Sequence, residues 1–377
     1  MFCRNVLSKK VNGKILFYRG FYMSINEPYV KIWEKDSIEI DDDIYFVDKL
    51  IRMGFVKEGH HPKKIITKDN ISKLYIQITE NCNMRCSHCY AKSIESKKEI
   101  NLTSIKKLID DAIDQGMLYI IYSGGEPLLH KDISQILQYG YEKGLYQIIF
   151  TNGSEVQKNY NIIKKYVHEV QLSLDGDEEF HDNFRNYKGA YRKVIKALQI
   201  IDEKKVKKTV AMSVFDSNVH LIDHVKKLSS KYNANFRFSP PAPVGHYENT
   251  ADEKYIYLMN KIEKYLGSNC KGFSELNPKN GVKNRCDALR KKLYITADLN
   301  IYPCPLLSSS NFIIDKYDNK GLDKFFKSVN YLSAIDNVNK VWFNECADCD
   351  LNCLFWCPAF FLKSLSEKTK SPFCKNL

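Results

Sequence analysis

The feature that most limits how this chain can fold is the placement of its twelve cysteines. Cys82, Cys86 and Cys89 share one short segment, and after a gap of about 180 residues eight more lie within 270–374. No signal-peptide core and no run of about 18 apolar residues is present, so we predict a cytoplasmic protein without a membrane span. Disulfides are disfavoured in that compartment, so the clustering indicates metal ligation or catalysis.

The segment 71–249 alternates between apolar strands and helical stretches. Strands are predicted at Leu74–Thr79, Leu118–Tyr122, Gln147–Thr151, Glu169–Leu174, Thr209–Val214 and Asn235–Ser239. Helices are predicted near 103–115, 132–143, 155–166, 189–204 and 218–231. Such alternation indicates βαβ units and a parallel sheet. Six units are too few for a closed eight-stranded barrel, so we expect an α/β fold, an open partial (β/α)6 barrel with its functional residues at the carboxyl ends of the strands.

Two smaller regions flank the predicted barrel. Residues 1–70 are predicted to form an α+β unit, with a strand at Lys14–Tyr18 and helices around 26–35 and 42–53. Residues 250–377 lose the alternation and hold eight cysteines, so metal should organise this region as much as hydrophobic burial does. The predicted domains are therefore 1–70, 71–249 and 250–377.

The formal net charge of +12 is compatible with nucleic acid, an acidic peptide partner or a lysine-rich surface. The basic residues are spread along the chain, with pairs such as Lys97-Lys98 and Lys106-Lys107 on predicted exposed helix faces. This spread favours a solvated surface over a nucleic-acid site. A zinc-ribbon nucleic-acid binder is the alternative outside the enzymes, and a colourless protein containing zinc would support it.

The first cysteine group follows the first predicted barrel strand. Cys82, Cys86 and Cys89 have the spacing Cys-x3-Cys-x2-Cys, and Tyr90 comes next. Three thiolates leave one iron of a 4Fe–4S cluster without a protein ligand, and such an open iron can bind a substrate-like molecule. A structural zinc site would require a fourth ligand. His88 lies within the turn, where we expect it to point outward.

This spacing after the first strand of a partial barrel, followed by an aromatic residue, resembles the radical S-adenosylmethionine (SAM) superfamily. Further motifs of that superfamily match at successive strand ends: Gly-Gly-Glu, Ser-x-Asp and a downstream arginine. In the family these contact the SAM amino group, lie near the ribose and methionine moiety, and approach the carboxylate. The resemblance implies the following SAM-binding residues: Tyr90, Gly124, Gly125, Glu126, Asn152, Ser173, Asp175 and Arg185. We expect His181 and Asp182 to order their loop.

The resemblance also implies the chemistry. Cys82, Cys86 and Cys89 would hold the catalytic 4Fe–4S cluster of a SAM-cleaving oxidoreductase. An electron from the reduced cluster breaks a C–S bond of SAM, which gives methionine and a 5′-deoxyadenosyl radical that abstracts hydrogen from the substrate. An electron donor such as flavodoxin or ferredoxin is then required.

The cysteines of the tail resemble the SPASM domain, an extension of peptide-modifying radical SAM enzymes that holds two auxiliary 4Fe–4S clusters. By that resemblance Cys286, Cys304 and Cys357 serve the first auxiliary cluster. The second would be served by Cys346, Cys349, Cys353 and Cys374. Two alternatives stay open for the first: Cys270 completes it, or one iron is open to a substrate thiolate or other donor. The fifteen residues between Cys270 and Cys286 favour the open site.

The tail also departs from the family pattern. Leu299 stands where the family usually has glycine, and the third cysteine gap is x3 rather than x5. In sulfatase maturases an aspartate follows the second SPASM cysteine and serves as the base, whereas this chain has Pro305, which argues against that activity. The spacings within 346–357 would also place four cysteines on one helical stripe, but a buried stripe rarely uses four cysteines, so metal is favoured.

The substrate expectation combines both ends of the chain. Residues 1–70 look like the winged-helix, PqqD-like modules that bind leader peptides, although a stabilising appendage is the alternative. Together with the SPASM resemblance, this implies a ribosomally made precursor peptide with a leader as partner, in which the enzyme installs a thioether or another cross-link. The alternatives are epimerisation or processing of a single residue, or action on another protein or a small molecule.

Overall fold

A computed structural model describes residues 71–89, 97–239, 288–318 and 321–339 of the chain. It also describes the backbone of four short strands before residue 71. Single residues are described at Leu50, Tyr257, Leu258, Lys261 and Ile262. The predicted helices around 26–35 and 42–53 lie outside the described residues, apart from Leu50.

A small sheet forms from the first part of the chain. Its strands are β1 (Leu7–Lys10), β2 (Lys14–Tyr18), β3 (Phe21–Ile25) and β4 (Ile65–Thr67). They are ordered β3-β2-β1-β4, with β1 antiparallel to β2 and parallel to β4. The predicted strand at Lys14–Tyr18 is confirmed. Strand β1 was not predicted, because its sequence Leu-Ser-Lys-Lys has a single apolar residue and gives no alternation.

The larger sheet contains six strands that run parallel to one another. They are β5 (Lys73–Thr79), β6 (Tyr119–Gly124), β7 (Tyr146–Thr151), β8 (Glu169–Ser173), β9 (Lys207–Ser213) and β10 (Asn235–Ser239). Each pairs with the next in chain order, so the sheet grows in one direction from β5 to β10. The predicted α/β fold, an open partial barrel, is confirmed.

Helices connect these strands. They are α1 (Leu102–Asp114), α2 (Ile133–Glu142), α3 (Tyr160–Tyr166), α4 (Glu178–Arg185), α5 (Ala190–Ile200) and α6 (Ile222–Lys231). Asn101 is the N-cap of helix α1, and its side chain accepts a hydrogen bond from the Ser104 amide at 2.9 Å. Helix α4 was not predicted, because it is short and polar, and buries only His181 and Arg185. No helix among the described residues is long and apolar enough to cross a membrane.

The two faces of the sheet have different surroundings. The Gln147 side chain donates hydrogen bonds to the carbonyl oxygens of Leu137 in α2 and Tyr166 in α3, both at 2.7 Å. Strand residues that lie on the same face of the sheet as Gln147 therefore face the helices. Their neighbours along each strand face the concave interior of the partial barrel. The predicted SAM-binding residues Ser173 and Asp175 both lie on the opposite side, towards the concave interior.

Strands from the region after residue 249 continue the same sheet. Strands β11 (Lys292–Ile295), β12 (Asn300–Tyr302) and β13 (Asp315–Lys316) are followed by helices α7 (Leu322–Phe326) and α8 (Val329–Asn339). Strand β11 pairs with β5 in parallel, and β12 pairs with β11 in antiparallel orientation. The full strand order is therefore β10-β9-β8-β7-β6-β5-β11-β12-β13. This pairing was not foreseen, because a strand's partner distant in sequence leaves no local pattern. The boundary at 249/250 stays a prediction.

Candidate active site

The loop that carries Cys82, Cys86 and Cys89 leaves the carboxyl end of β5, and all three thiols are half-buried. It is fastened to two neighbouring elements by backbone hydrogen bonds. The Glu126 amide donates to the Asn81 carbonyl at 2.7 Å, and the Ser87 amide donates to the Phe184 carbonyl in α4 at 3.2 Å. The three sulfurs are thus presented at the predicted edge of the barrel by a loop held at both ends.

Gly124 and Gly125 lie where the end of β6 packs directly against that loop. A Cβ atom added at Gly124 would lie 2.3 Å from the carbonyl oxygen of Thr79, and one added at Gly125 would lie 2.3 Å from that of Asn81. No side chain fits these gaps, so both positions require glycine. The two glycines therefore allow the backbone at the end of β6 to pack closely against the cysteine loop.

Glu126 is fully buried and links the ends of two strands. Its carboxylate accepts hydrogen bonds from the Thr151 hydroxyl and the Asn152 amide at 2.8 Å each, and from the Leu128 amide at 3.1 Å. Burial raises the pKa of Glu126 to about 7, against the opposing effect of these donors. The predicted contact of this carboxylate with the SAM ammonium stays a prediction.

Asn152 lies beside the first cysteine. Its Nδ2 atom is 3.1 Å from Asn83 Oδ1 and 3.9 Å from Cys82 Sγ, and the Met84 amide donates to the same sulfur at 3.5 Å. Burial raises the pKa of the Cys82 thiol to about 12. N–H groups directed at a buried sulfur stabilise a thiolate, which is the form that binds metal. Asn83 was missed, because it lies among the unspecified positions of the cysteine motif.

Asp175 and Arg185 form a buried ion pair beside the second cysteine. Asp175 Oδ2 accepts from Arg185 Nε at 2.7 Å and lies 2.6 Å from Nη2, while Oδ1 accepts from the Ser213 amide at 2.9 Å. The remaining Nη1 atom of Arg185 lies 3.8 Å from Cys86 Sγ. Burial raises the pKa of the Cys86 thiol, and the guanidinium opposes that rise. Asp175 therefore fixes a cation against Cys86.

Two further side chains hold Asp175 in place. His181 Nδ1 accepts from the Asp175 amide at 3.1 Å, and Asn218 Nδ2 donates to the Asp175 carbonyl at 2.9 Å. Burial lowers the pKa of His181 to about 3. Asp182 accepts from the amides of Gly189 and Tyr191, so the expectation that His181 and Asp182 order the loop is confirmed. Asn218 was missed, since no motif surrounds it.

Ser173 lies in β8, and His88 packs against α4. Ser173 ends β8 and is half-buried, on the same strand face as Asp175. The expectation that His88 points outward is wrong, because its half-buried ring stacks on Phe184 with centroids 4.1 Å apart. Phe184 belongs to α4, the helix that the sequence did not predict, so the surface that receives His88 was not foreseen.

Residues 76–228 match the model of the Radical SAM superfamily. The chain therefore contains a radical SAM domain. It is 35% identical to the Fe-coproporphyrin III synthase of Methanosarcina barkeri over 44% of each chain. It is 27% identical to the antilisterial bacteriocin subtilosin biosynthesis protein AlbA of Bacillus subtilis over 64% of this chain and 58% of AlbA. The chain thus spans about half the length of these curated relatives.

A solved structure extends the likeness to the whole fold. Streptococcus suis SuiB, crystallised with its precursor peptide SuiA, superposes with a TM-score of 0.68 at 17% identity, covering 99% of both chains. At that identity the likeness establishes the fold.

The cysteine loop fits the cluster that radical SAM proteins carry. Among the described residues, no three His, Cys, Asp or Glu side chains converge closely enough to hold a single metal ion. Three thiols on one loop, with N–H donors directed at the sulfurs of Cys82 and Cys86, form a donor set suited to an iron–sulfur cluster. The residues present would hold it through Cys82, Cys86 and Cys89.

The part of the chain after residue 249 contributes one described cysteine. Cys304 follows β12 and is only 4% exposed, and burial raises its pKa. Leu299 has a φ of 67°, the left-handed conformation that glycine adopts most readily, so leucine stands here at a position whose backbone favours glycine. The other predicted ligands and Tyr90 lie outside the described residues: Cys270, Cys286, Cys346, Cys349, Cys353, Cys357 and Cys374.

Proposed function

We propose that this radical SAM protein is an oxidoreductase that cleaves SAM reductively and modifies a ribosomally synthesised precursor peptide, forming a thioether or another cross-link. The observation that carries the proposal is the set of three half-buried thiols with Arg185 and Asn152 directed at two of the sulfurs. The SuiB-like architecture and the similarity to AlbA, a bacteriocin biosynthesis protein, support a peptide substrate.

The chain's own residues position and tune the site. When bound, a 4Fe–4S cluster supplies the electron that cleaves SAM. Arg185 is immobilised by Asp175, so one edge of its guanidinium stays directed at Cys86 while the ion pair is intact. Hydrogen bonds to cluster sulfurs are among the determinants of reduction potential, so Arg185 and Asn152 adjust the potential of the site. The same guanidinium is suited to receive the SAM carboxylate.

The remaining SAM contacts follow the strand ends. In this proposal the amino group of SAM lies by Gly124, Gly125 and Glu126, where the end of β6 packs against the cysteine loop. Ser173, on the concave face of β8, lies near the ribose and methionine moiety. Support comes from the common direction of these strand ends and from the superfamily membership, since parallel strands bring their carboxyl ends to one edge.

The proposal includes further partners and cofactors. Two auxiliary 4Fe–4S clusters in the tail bring the total to three, and residues 1–70 receive the leader of the peptide. A flavodoxin or ferredoxin supplies electrons in the cytoplasm. The buried Cys304 supports a permanently ligated auxiliary site, because a thiol shielded from solvent is protected from exchange and oxidation.

Anaerobic reconstitution followed by reaction with dithionite and SAM tests the proposal. We expect about twelve irons per chain and formation of 5′-deoxyadenosine. Co-expression with a candidate precursor peptide should yield a product lighter by about 2 Da, the mass of two hydrogens lost for one new bond. An unchanged mass with deuterium uptake from heavy water would indicate epimerisation. A colourless, zinc-containing protein that releases no 5′-deoxyadenosine would overturn the proposal.

A further inference from the structure

A buried polar side chain lies inside the partial barrel. Gln171 is in β8, two residues before Ser173, and is 8% exposed. Its Oε1 atom is buried and has no hydrogen-bond partner among the described residues. Buried amide oxygens in native proteins are almost always bonded, so an unbonded one indicates a partner that arrives from outside the described chain.

The register of the sheet places this amide on the concave face. Gln171 is aligned with Phe150 on one side and with Thr209 on the other. Phe150 is out of phase with Gln147, whose side chain bonds to the helices. Gln171 therefore faces the interior of the barrel, directly below Ser173 on the same strand face.

The guanidinium of Arg237 lies over the same part of the concave face. Arg237 lies in β10, aligned with Ala211, which is aligned in turn with Ser173. Its guanidinium is 5.6 Å from the ring centroid of Phe150, although β8 and β9 separate the two strands. The Arg237 side chain thus crosses the concave face above the strand that carries Gln171. No carboxylate among the described residues lies within 4 Å of this guanidinium, so its charge is available.

An aromatic row completes the surroundings. The Phe150 and Tyr75 rings meet edge to face with centroids 5.3 Å apart, and Tyr75 meets Tyr294 in the same way at 5.4 Å. These rings come from β7, β5 and β11, and extend the floor of the interior away from Gln171. The interior therefore offers a hydrogen-bond acceptor, a positive charge and an apolar wall beneath the predicted SAM site.

We propose that Gln171 and Arg237 form a recognition site for a peptide segment that carries a carboxylate. Arg237 pairs with the carboxylate through its planar fork of N–H groups, and Gln171 Oε1 accepts a hydrogen bond from an N–H of the same segment. The aromatic row covers the aliphatic part of the segment. This site rests on the proposed function and names its substrate class: a peptide with an acidic side chain or a free carboxyl terminus near the residue that reacts.

Calorimetric titration of the anaerobic holoenzyme with SAM tests this site. The probes are N-acetylated, C-amidated pentapeptides Gly-Ala-X-Ala-Gly in which X is Glu, Gln or Lys, and a Gln peptide with a free carboxyl terminus. For the wild type we expect the Glu peptide to bind about tenfold more tightly than the amidated Gln peptide, with the Lys peptide weakest. Tighter binding of the free-terminus peptide instead would assign the carboxylate to the chain end.

Three variants distinguish the site from a general charge effect. Arg237→Glu should reverse the order of the Glu and Lys peptides, and Gln171→Leu should weaken both Glu and Gln peptides about tenfold without reordering them. Arg192→Glu is the matched control, since that side chain is 79% exposed on the surface and should leave the order unchanged.

Two results of the titration would overturn the site: the same order of peptide affinities in the wild type and Arg237→Glu, or no binding of any peptide to the wild type. A third is a higher or lower SAM concentration needed for cleavage in Arg237→Glu, because that result would place Arg237 at SAM. The titration does not require SAM cleavage. Failure of the proposed function, seen as absent 5′-deoxyadenosine, is therefore recorded separately from failure of this site.

Discussion

The two cysteine regions that the structure describes hold their sulfurs in different ways. At the barrel, Cys82, Cys86 and Cys89 are half-buried on one loop, with N–H donors directed at two of the three sulfurs. In the tail, Cys304 is almost completely buried within the common hydrophobic core. Half-buried cysteines on a loop can ligate a cluster that an incoming molecule must reach. An enclosed cysteine is suited to ligate a cluster that stays bound.

The largest expected difference between the two regions concerns SAM cleavage. Cys86→Ala should lower 5′-deoxyadenosine formation by more than about 100-fold, because loss of a metal ligand exceeds the effect of losing an outer-shell partner. Cys304→Ala should retain cleavage of SAM in the absence of peptide. Anaerobic assays with dithionite measure both, and iron content checks that each variant loses only its own cluster. Equal losses of cleavage in the two variants would remove the distinction.

The next effect concerns the buried ion pair at the barrel. Asp175→Asn leaves the Arg185 guanidinium buried without its counter-charge, which should lower the free energy of unfolding by about 3–5 kcal/mol. Glu178→Gln is the control, because its pair with Arg192 is exposed on the surface and contributes about 0–1 kcal/mol. Anaerobic urea denaturation measures both. A loss for Asp175→Asn as small as that of the control would contradict the account.

A smaller effect should appear as a pH dependence. The pKa of His181 is depressed to about 3 in the fold, below its ordinary value of 6.5, so its contribution to stability is present above pH 6.5 and is lost as the pH falls towards 3. Between pH 7 and pH 5 the wild type should lose about 2 kcal/mol through this residue.

His181→Asn removes the titrating group and keeps an acceptor for the Asp175 amide, so it serves as the reference for that loss. Urea midpoints of both proteins at the two pH values give the difference. Parallel pH profiles would show that His181 does not titrate on unfolding.

The smallest effect belongs to the tail. Leu299→Gly relieves the left-handed backbone conformation but removes a half-buried side chain that packs on the core. The two contributions are similar in size, so the free energy of unfolding should change by less than about 1 kcal/mol. A thermal or urea midpoint shift equivalent to more than about 2 kcal/mol would show that one contribution dominates.

The sequence predicted the barrel because its signals are local. Apolar runs such as Leu74–Thr79 and Gln147–Thr151 located strands to within one residue of their observed ends. Predicting that the carboxyl ends of parallel strands meet required only the strand order.

The features that were missed depend on contacts between distant residues. Helix α4 has only eight residues and buries the polar side chains of His181 and Arg185, so a search for long apolar stretches did not locate it. Asn218 matters because it bridges the carbonyls of Asp175 and Ser213, and the pairing of β11 with β5 joins segments more than 200 residues apart. Such contacts are fixed by tertiary packing and leave no trace in a short window.

Electron paramagnetic resonance of the anaerobically reduced protein, recorded before and after SAM is added, tests the central claim most directly. The account predicts that SAM alters the signal of one 4Fe–4S cluster, that Cys304→Ala preserves this change and that Cys86→Ala abolishes it. A spectrum indifferent to SAM, or a change that persists without Cys86, would contradict the assignment of the catalytic site to the loop at the end of β5.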